Sequence, residues 1–228
     1  MQGVKTTVKT MLFGNKPRPY RMRAGLLRGL RFEVDVRIDT QQITGLYERE
    51  LLGPVRRLAA RAHSAFDIGA GDGYYTVYFA AQPGITKVVA CEPDPQRSRL
   101  LQRNLSLNSS RGIERVSLLP VCVGSSKASG FQDLESLVKG SAEPVLLKID
   151  VEGAELDVLE SGRAALSRGD FLIVIETHSA ELERDCAAFL EKLGYKCAIV
   201  KNGWYRKIIP ELRFLPHNRW LIAERPQR

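Results

Sequence analysis

The stretch Phe66-Asp67-Ile68-Gly69-Ala70-Gly71-Asp72-Gly73-Tyr74-Tyr75-Thr76 decides the fold of this chain of 228 residues. It begins as an apolar strand, passes through a turn with alternating glycines and continues into a segment of helical character. Glycine permits positive φ and lets the backbone approach a ligand without an intervening Cβ. The N-terminus of the following helix offers unpaired N–H groups. The stretch therefore predicts an α/β fold with a nucleoside-type cofactor at the turn.

An acidic residue after the second predicted strand narrows the class of cofactor. Glu92 follows the strand 87–91 and lies about 20 residues beyond Gly73, where an acid in doubly wound sheets accepts hydrogen bonds from a ribose. The glycine spacing is GxGxG rather than the dinucleotide pattern GxGxxG. Because a phosphate cradle is missing, the pattern predicts S-adenosylmethionine. Asp67 is expected to approach the amino group of this cofactor, directly or through water.

Short apolar runs alternate with helical segments along most of the chain, which is typical of a mainly parallel sheet buried on both faces. The fold class predicted is a doubly wound, Rossmann-like α/β fold with a seven-stranded sheet, whose last two strands form an antiparallel hairpin at one edge. The predicted strands are 64–68, 87–91, 115–123, 145–150, 171–176, 196–201 and 219–224. The predicted helices are 73–81, 94–108, 132–138, 154–167 and 179–194.

Two units are predicted, a basic arm with a strand and helix cap at 1–62 and a cofactor-binding domain at 63–228. Residues 1–31 are expected to be loosely structured because Pro17 and Pro19 break any helix. Residues 31–38 alternate like a half-buried strand. Residues 44–62 are predicted to be helical, with a break near Gly53-Pro54.

The net charge of +8 resides in residues 1–31, which contain eight Lys and Arg residues and no acid. Two interpretations stay open. The arm meets nucleic acid, anionic lipid or an acidic substrate, or it is a mobile, solubilising segment without a dedicated partner. Only Phe13 and Tyr20 interleave the charges, which is thin support for a base-stacking platform.

Composition indicates an ordinary globular protein, with 44% apolar and 26% charged residues. The apolar run 171–175 is far shorter than the ~20 residues that span a bilayer. No apolar segment typical of a secretory signal follows the N-terminal charges. The four cysteines lack CxxC spacing and are interpreted as reduced thiols of a cytoplasmic protein, without zinc or disulfides.

The run Val145-Leu146-Leu147-Lys148-Ile149-Asp150-Val151-Glu152-Gly153-Ala154-Glu155 places charged residues in a buried strand. Lys148 and Asp150 share one face by period-two spacing, and a buried lysine needs an acidic partner. The next strand contributes Glu176 and His178 at the corresponding end.

These stretches, with Val89-Ala90-Cys91-Glu92-Pro93-Asp94-Pro95 and Gly45-Leu46-Tyr47-Glu48, resemble the FkbM-type methyltransferases, a branch of the class I S-adenosylmethionine-dependent superfamily. The resemblance covers about residues 40 to 225 and implies methyl transfer to oxygen, commonly on a sugar or polyketide hydroxyl. Asp72 stands where the family often has Asn. Cofactor-binding residues are expected to be Asp67, Gly69, Ala70, Gly71, Gly73, Tyr74, Glu92, Pro93 and Asp150.

A hydroxyl attacks a sulfonium methyl only when it is positioned in line and its proton is accepted. The predicted catalytic residues are Asp150, His178, Glu155 and Lys148, with Asp150 or His178 as the base. Structural roles compete: Glu155 could complement a helix N-terminus, Lys148 could neutralise Glu176 or Asp150, and His178 could cap a helix. Mg²⁺ on Asp150, Glu152 and Glu176 is conceivable but not favoured, so no metal is assigned.

The predicted acceptor is a hydroxyl of a small molecule, sugar or glycan. Alternatives are a nucleic-acid methyltransferase guided by residues 1–31, and a non-catalytic S-adenosylmethionine-binding module. The sequence lacks the Asn/Asp-Pro-Pro-Tyr motif of amino-methylating enzymes and a Pro-Cys nucleophile. Tyr47 and Glu48 are expected at the border of the site.

Overall fold

The computed structural model describes residues 16–37, 39–207, 217 and 219–226. The strands, in chain order, are Arg18–Arg21 (β1), Arg31–Val34 (β2), Ser64–Ile68 (β3), Lys87–Cys91 (β4), Val116–Leu119 (β5), Cys122–Val123 (β6), Phe131–Gln132 (β7), Val145–Ile149 (β8), Phe171–Thr177 (β9), Lys196–Val200 (β10) and Arg219–Glu224 (β11). The α-helices of the described residues are Thr40–Thr44 (α1), Leu52–Ala59 (α2), Tyr74–Ala80 (α3), Pro95–Ser106 (α4), Leu134–Val138 (α5), Glu155–Ser161 (α6), Arg163–Arg168 (α7) and Ala180–Lys192 (α8).

The main sheet has seven strands in the order β10-β11-β9-β8-β3-β4-β5. Strands β9, β8, β3, β4 and β5 are parallel, whereas β11 is antiparallel to both of its neighbours, β9 and β10. All residues of β3, β8 and β9 are buried, as expected for central parallel strands covered on both faces. The predicted fold class, including the antiparallel C-terminal edge, is confirmed.

The sheet separates two hydrophobic clusters, because alternate residues of each strand point to opposite faces. On one face Leu146 packs with Leu58 of α2 and Phe79 of α3. On the other face Leu147 packs with Leu159 of α6 and with α8. The side chain of Lys148 therefore points to the face that carries α2 and α3, which decides its partners in the site.

Two helices begin where local signals in the sequence predict. Asp94 accepts hydrogen bonds from the backbone N–H groups of Gln96 and Arg97, and Pro95 occupies the first helical position. Ser179 accepts a hydrogen bond from the N–H of Leu182 and begins α8. Both helices lead away from the carboxyl ends of β4 and β9.

The single helix predicted at 154–167 is wrong, because the structure has two helices, α6 and α7, that meet at Gly162. A Cβ at Gly162 would lie 2.6 Å from Cδ2 of Leu134, far inside van der Waals contact. Close packing of α5 thus requires glycine, and glycine weakens a continuous helix at this position.

The long strand predicted at 115–123 is also wrong. Residues Ile113–Arg115 form a 3₁₀ turn, β5 ends at Leu119, and the chain then leaves the main sheet. Pro120 follows directly and has no N–H to donate to a ladder. The separate strand β6 pairs with β7 in a small two-stranded sheet.

The N-terminal segment is more ordered than the sequence predicts. Residues 1–15 lie outside the described part, but 16–31 are not loosely structured: β1 pairs antiparallel with β2, and Met22, Leu26, Leu27 and Leu30 are buried. The proline pattern that excludes a helix is compatible with an edge strand. The strand predicted to reach Ile38 ends at Val34, and Ile38 lies outside the described residues.

The helix predicted at 44–62 is replaced by several short elements. Helix α1 ends at Thr44, residues 45–48 form a turn, Arg49–Leu51 form a 3₁₀ helix, and α2 begins at Leu52. Pro54 therefore stands in the first turn of α2, where its missing N–H costs nothing. The helical segment is thus interrupted at residues 45–48, before α2, and not at Gly53-Pro54. This turn carries Glu48 into the interior of the protein. Leu51, Val55 and Leu58 share the cluster of Leu146.

Within the described ranges, no helix is long and apolar enough to cross a membrane.

Candidate functional site

The glycine turn after β3 is held against two neighbouring elements. Gly69, Gly71 and Gly73 have φ angles of 78°, 58° and 89°, which glycine adopts without strain. A Cβ on Gly69 would collide with the carbonyl oxygen of Asp150, and one on Gly73 would lie 2.7 Å from Cγ of Leu101. A Cβ on Gly71 would meet nothing within 4 Å. The turn is thus closely packed at Gly69 and Gly73, whereas the space next to Gly71 is open.

Glu92 lies at this turn, where its spacing predicts it. Its side chain is buried; Oε2 accepts the N–H of Gly71 at 2.7 Å and Oε1 accepts the N–H of Asp94 at 2.9 Å. The N–H groups of Gly69 and Ala70 donate to the carbonyl oxygen of Cys91. The carboxylate therefore links the glycine turn to the loop after β4, next to the exposed Pro93.

Asp67 braces the turn from below. Its Oδ2 accepts the hydroxyl of Thr76 at 2.6 Å, and burial raises the pKa of Asp67 to about 6. The ring of Tyr74, by contrast, packs on Phe32 and Tyr47 at centroid distances of 6.0 and 4.8 Å. Tyr74 therefore presents its backbone, rather than its ring, to the glycine turn.

Lys148 is 1% exposed and lies among carboxylates. Its Nζ is 3.5 Å from Oδ2 of Asp150 and 3.9 Å from Oε2 of Glu176, and it lies 5.0 Å from the ring centroid of Tyr75. Burial alone would lower the pKa of Lys148, but the charges of Asp150, Glu48 and Glu176 raise it above its ordinary value. Lys148 is thus a permanent cation within an acidic pocket.

Glu48 reaches this pocket from the turn between α1 and α2. It is buried, it accepts a hydrogen bond from the hydroxyl of Tyr75, and burial raises its pKa. Its φ of 41° is the single positive value of a non-glycine residue in the described part of the chain. Such backbone strain persists where the surroundings fix it, here through Tyr75 and Lys148.

His178 follows β9 and is fixed between two acids. Its Nδ1 donates to Oε1 of Glu155 at 2.5 Å, and its Nε2 lies 3.7 Å from Oδ1 of Asp150. The hydrogen bond to Glu155 raises the pKa of His178, against the opposing effect of burial. Glu155 itself is 0% exposed at the start of α6. With Nδ1 engaged, Nε2 is the nitrogen able to exchange a proton on the side of Asp150.

Asp150, Glu176 and His178 offer potential metal-ligand atoms within 4.8 Å of one another. Glu152, which the sequence grouped with the first two, is exposed and outside this set. The ammonium of Lys148 already neutralises part of the charge of Asp150 and Glu176. A divalent cation at this position would meet its repulsion.

The structure thus brings Asp150, His178, Glu155 and Lys148 into one cluster, which meets the glycine turn where Gly69 abuts Asp150. Glu48 and Tyr75 belong to the same cluster but are not among the predicted catalytic or cofactor-binding residues. The sequence could indicate Glu48 only through charge, since the buried Lys148 needs acidic partners close to it.

Residues 131–197 match the family model described as the Methyltransferase FkbM domain. This segment includes β8, α6 and β9, and with them Lys148, Asp150, Glu155 and His178. The resemblance to FkbM-type methyltransferases is thereby confirmed over this segment. No curated protein matches the chain.

Solved structures share the fold at low sequence identity. Methyltransferase FkbM from Methylobacillus flagellatus has a TM-score of 0.58 and 17% identity, over 71% of this chain and 43% of that one. An S-adenosylmethionine-dependent O-methyltransferase from Thermotoga maritima has a TM-score of 0.52 and 15% identity, over 79% of this chain and 66% of that one. A putative rRNA methylase from Clostridium thermocellum has a TM-score of 0.52 and 11% identity, over 78% of this chain and 97% of that one.

The chain thus has the Rossmann-like fold of class I methyltransferases. It spans less than half of the Methylobacillus protein and about two thirds of the Thermotoga protein.

Proposed function

We propose that this protein transfers a methyl group from S-adenosylmethionine to a hydroxyl of a small molecule, sugar or glycan. The observation that carries the proposal is the contact between the glycine turn and Asp150 of the charged cluster. Gly69 has no room for a Cβ because the Asp150 carbonyl lies against it, and the Asp150 N–H donates to the Ile68 carbonyl at 2.9 Å. A cofactor on the glycine turn therefore borders Asp150 and His178.

The residues around the turn fit the parts of S-adenosylmethionine. The open position above Gly71 leaves room for the cofactor along the backbone, and the carboxylate of Glu92 beside it suits ribose hydroxyls. Gly69, Ala70, Gly73, Tyr74 and Pro93 border it through the backbone, and Asp67 underlies it. The carboxylates around Lys148 outnumber this single cation, which favours a positively charged ligand. When bound, the cofactor supplies an electrophilic methyl group on a sulfonium.

His178 is the proposed general base. Its Nε2 takes the proton of the acceptor hydroxyl as the oxygen–carbon bond forms and the carbon–sulfur bond breaks, with the bonding pair passing to sulfur. Glu155 fixes the ring and stabilises the imidazolium that results. Asp150, 3.7 Å from Nε2, orients the hydroxyl. Lys148 acts through Asp150 as a positioning residue.

The same geometry favours catalysis without a metal. Lys148 provides the positive charge beside Asp150 and Glu176 that a divalent ion would otherwise provide. We expect neither EDTA nor added Mg²⁺ to change the rate of methyl transfer.

A transfer assay tests the proposal. Protein and methyl-labelled S-adenosylmethionine are incubated with a panel of hydroxylated acceptors, and products are analysed by mass spectrometry. We expect label on oxygen with the wild type and much slower labelling with His178→Gln. The control is His63→Gln, because His63 directly precedes β3 and so lies at the end of that strand opposite to the glycine turn, where its Nδ1 bonds the Glu143 carbonyl oxygen. Label on nitrogen or carbon, or equal rates for both variants, would contradict the proposed chemistry.

A further inference from the structure

A set of exposed cations lies on the N-terminal hairpin, residues 16–34, which we name the basic hairpin. It carries Lys16, Arg18, Arg21, Arg23, Arg28 and Arg31, all exposed. Elsewhere in the described chain, many arginines are paired with acids, among them Arg37 with Asp35, Arg61 with Glu224 and Arg206 with Glu50. Within the hairpin the one acid is Glu33, and it pairs with Arg103 of α4. Among the described residues no ion pair engages these exposed cations, which leaves them accessible to an external anion.

The basic hairpin is fixed to the body of the protein. Its apolar residues, including Phe32 and Val34, are buried in the cluster of α2 and α3. Two buried asparagines of the α4 region hold the backbone of β2: Asn108 Oδ1 accepts the Arg31 N–H at 2.9 Å, and Asn104 Oδ1 accepts the Glu33 N–H at 2.8 Å. For residues 16–34 this overturns the interpretation of a mobile, solubilising tail.

Two of the cations face each other. Arg21 and Arg31 are direct partners in the antiparallel register, so their side chains leave the same face of the hairpin. Like charges directly opposite each other destabilise a strand pair. An anion bound between them would relieve this repulsion, and arginine binds phosphate through two parallel hydrogen bonds.

The chemistry of the surface selects one type of polyanion. The basic hairpin exposes no large apolar side chain; among the described residues Phe131 is the exposed large hydrophobic, and it lies on β7. Within residues 16–34 no exposed large apolar side chain could anchor a membrane, and the two aromatic residues, Tyr20 and Phe32, are half-buried and buried, so they offer no platform for unpaired bases. The hairpin thus presents arginines on a fixed backbone, and this surface suits the regular phosphate backbone of a duplex.

We propose that the basic hairpin binds double-stranded nucleic acid through its phosphate backbone, without reading sequence. The loop of the hairpin adjoins the site, since Gly25 packs against Gly45 and the hydroxyl of Tyr74. A bound duplex would therefore lie beside the turn that brings Glu48 to Lys148. Binding of the duplex and binding of S-adenosylmethionine are separate properties that separate measurements address.

Fluorescence anisotropy with the full chain and a labelled RNA duplex of arbitrary sequence tests the proposal. Between about 50 and 200 mM salt, we expect the affinity to fall with a log–log slope steeper than about −3, as for several phosphate contacts. A slope near zero would overturn the proposal. So would tighter binding to a single strand of the same length, or equal binding to phosphatidylserine vesicles without competition by the duplex.

The decisive variant is Arg31→Glu, because it converts the like-charged pair with Arg21 into an ion pair and so preserves the fold. We expect about a tenfold loss of duplex affinity and a salt slope shallower by about 1 to 2. The matched control is Arg184→Glu, an exposed arginine on α8 at the opposite face of the sheet. Equal losses for both variants would show an effect of net charge alone and overturn the proposal.

A second variant locates the surface independently. Replacing Arg21, Arg23 and Arg28 by Gln is expected to abolish most duplex binding and leave calorimetric binding of S-adenosylmethionine unchanged. Undiminished duplex binding by this variant would place the binding surface elsewhere and contradict the proposal.

Discussion

At the scale of single residues, the position of His178 links the charge of the site to pH. Its Nδ1 donates to Glu155 and its Nε2 lies next to Asp150. Both acids favour the protonated imidazole, so the pKa of His178 lies above its ordinary value of 6.5. A base must be unprotonated to act, which makes the rate depend on this equilibrium.

The pH dependence of single-turnover methyl transfer therefore has a predictable sign. The rate should rise with pH through an apparent pKa above 6.5 and then level off. In Glu155→Gln the imidazolium loses its charged partner, so the rise should move to lower pH and the plateau rate should fall. Glu160→Gln, an exposed acid of the same helix, should leave the profile unchanged. A wild-type rise below pH 6.5, or no shift in Glu155→Gln, would exclude His178 as the base.

Lys148 is the second residue with a measurable consequence, because it is the cation among several buried acids. In Lys148→Met those acids lose their partner, and removal of one member of a buried charge pair costs about 3–5 kcal/mol. We expect the free energy of unfolding in urea to fall by about this amount at pH 7. The loss should shrink at acidic pH, where protonation removes the repulsion among the acids. Lys192→Met, at an exposed position of α8, should change stability by less than about 0.5 kcal/mol. Equal effects would contradict the charge balance described here.

At the scale of secondary structure, glycine has opposite roles in two helical positions. Gly162 separates α6 from α7, and a Cβ there would meet Leu134 at 2.6 Å. Gly53 lies in α2, and a Cβ there would meet nothing within 4 Å. Gly162→Ala should lower the free energy of unfolding by about 1–3 kcal/mol through overpacking. Gly53→Ala should raise it by about 0.4–1 kcal/mol through the unfolded state. Chemical denaturation measures both, and a stabilising Gly162→Ala would show that the contact with Leu134 relaxes freely.

The elements that the sequence predicts well carry their own local signals. Helix α4 begins at Asp94-Pro95 and α8 at Ser179, where a cap decides the start. The elements predicted wrongly depend on distant partners. Strand β1 contains Pro19 between arginines, and it pairs with β2, whose backbone is bound by the distant Asn104 and Asn108. No local pattern contains that information.

The site shows the same division. The sequence predicts that Asp150 and His178 lie together, because the carboxyl ends of neighbouring parallel strands meet at one edge of the sheet. The sequence places Glu48 only at the border of the site. Its side chain reaches the cluster through a strained turn and through contacts with Tyr75 and Lys148, which no local pattern indicates. The sequence of a strand shows which titratable residues stand at its carboxyl end. Which side chains they then contact depends on the folded chain as a whole.

At the scale of the whole molecule, the sheet organises two surfaces with different chemistry. The carboxyl ends of β3, β4, β8 and β9 converge on the acidic pocket to which we assign the cofactor, and the basic hairpin, to which we assign the duplex, adjoins the turn before Glu48. The hairpin and the turn at Glu48 pack in the same cluster as α2 and α3. Residues 45–48 therefore bring Glu48 to the acidic cluster, while residues 16–34 cover the face of the sheet that carries α2 and α3.

The most direct test of the central claim is calorimetric titration of S-adenosylmethionine and its demethylated product into the wild type, Glu92→Ala and the surface control Glu114→Ala. We predict micromolar binding to the wild type and to the control, and at least a tenfold loss in Glu92→Ala with circular dichroism unchanged. Because the pocket is acidic, the positively charged cofactor should lose more affinity than the product when salt is raised. Absence of binding to the wild type, or equal binding by Glu92→Ala, would contradict the assignment of the glycine turn and Glu92 as the cofactor site.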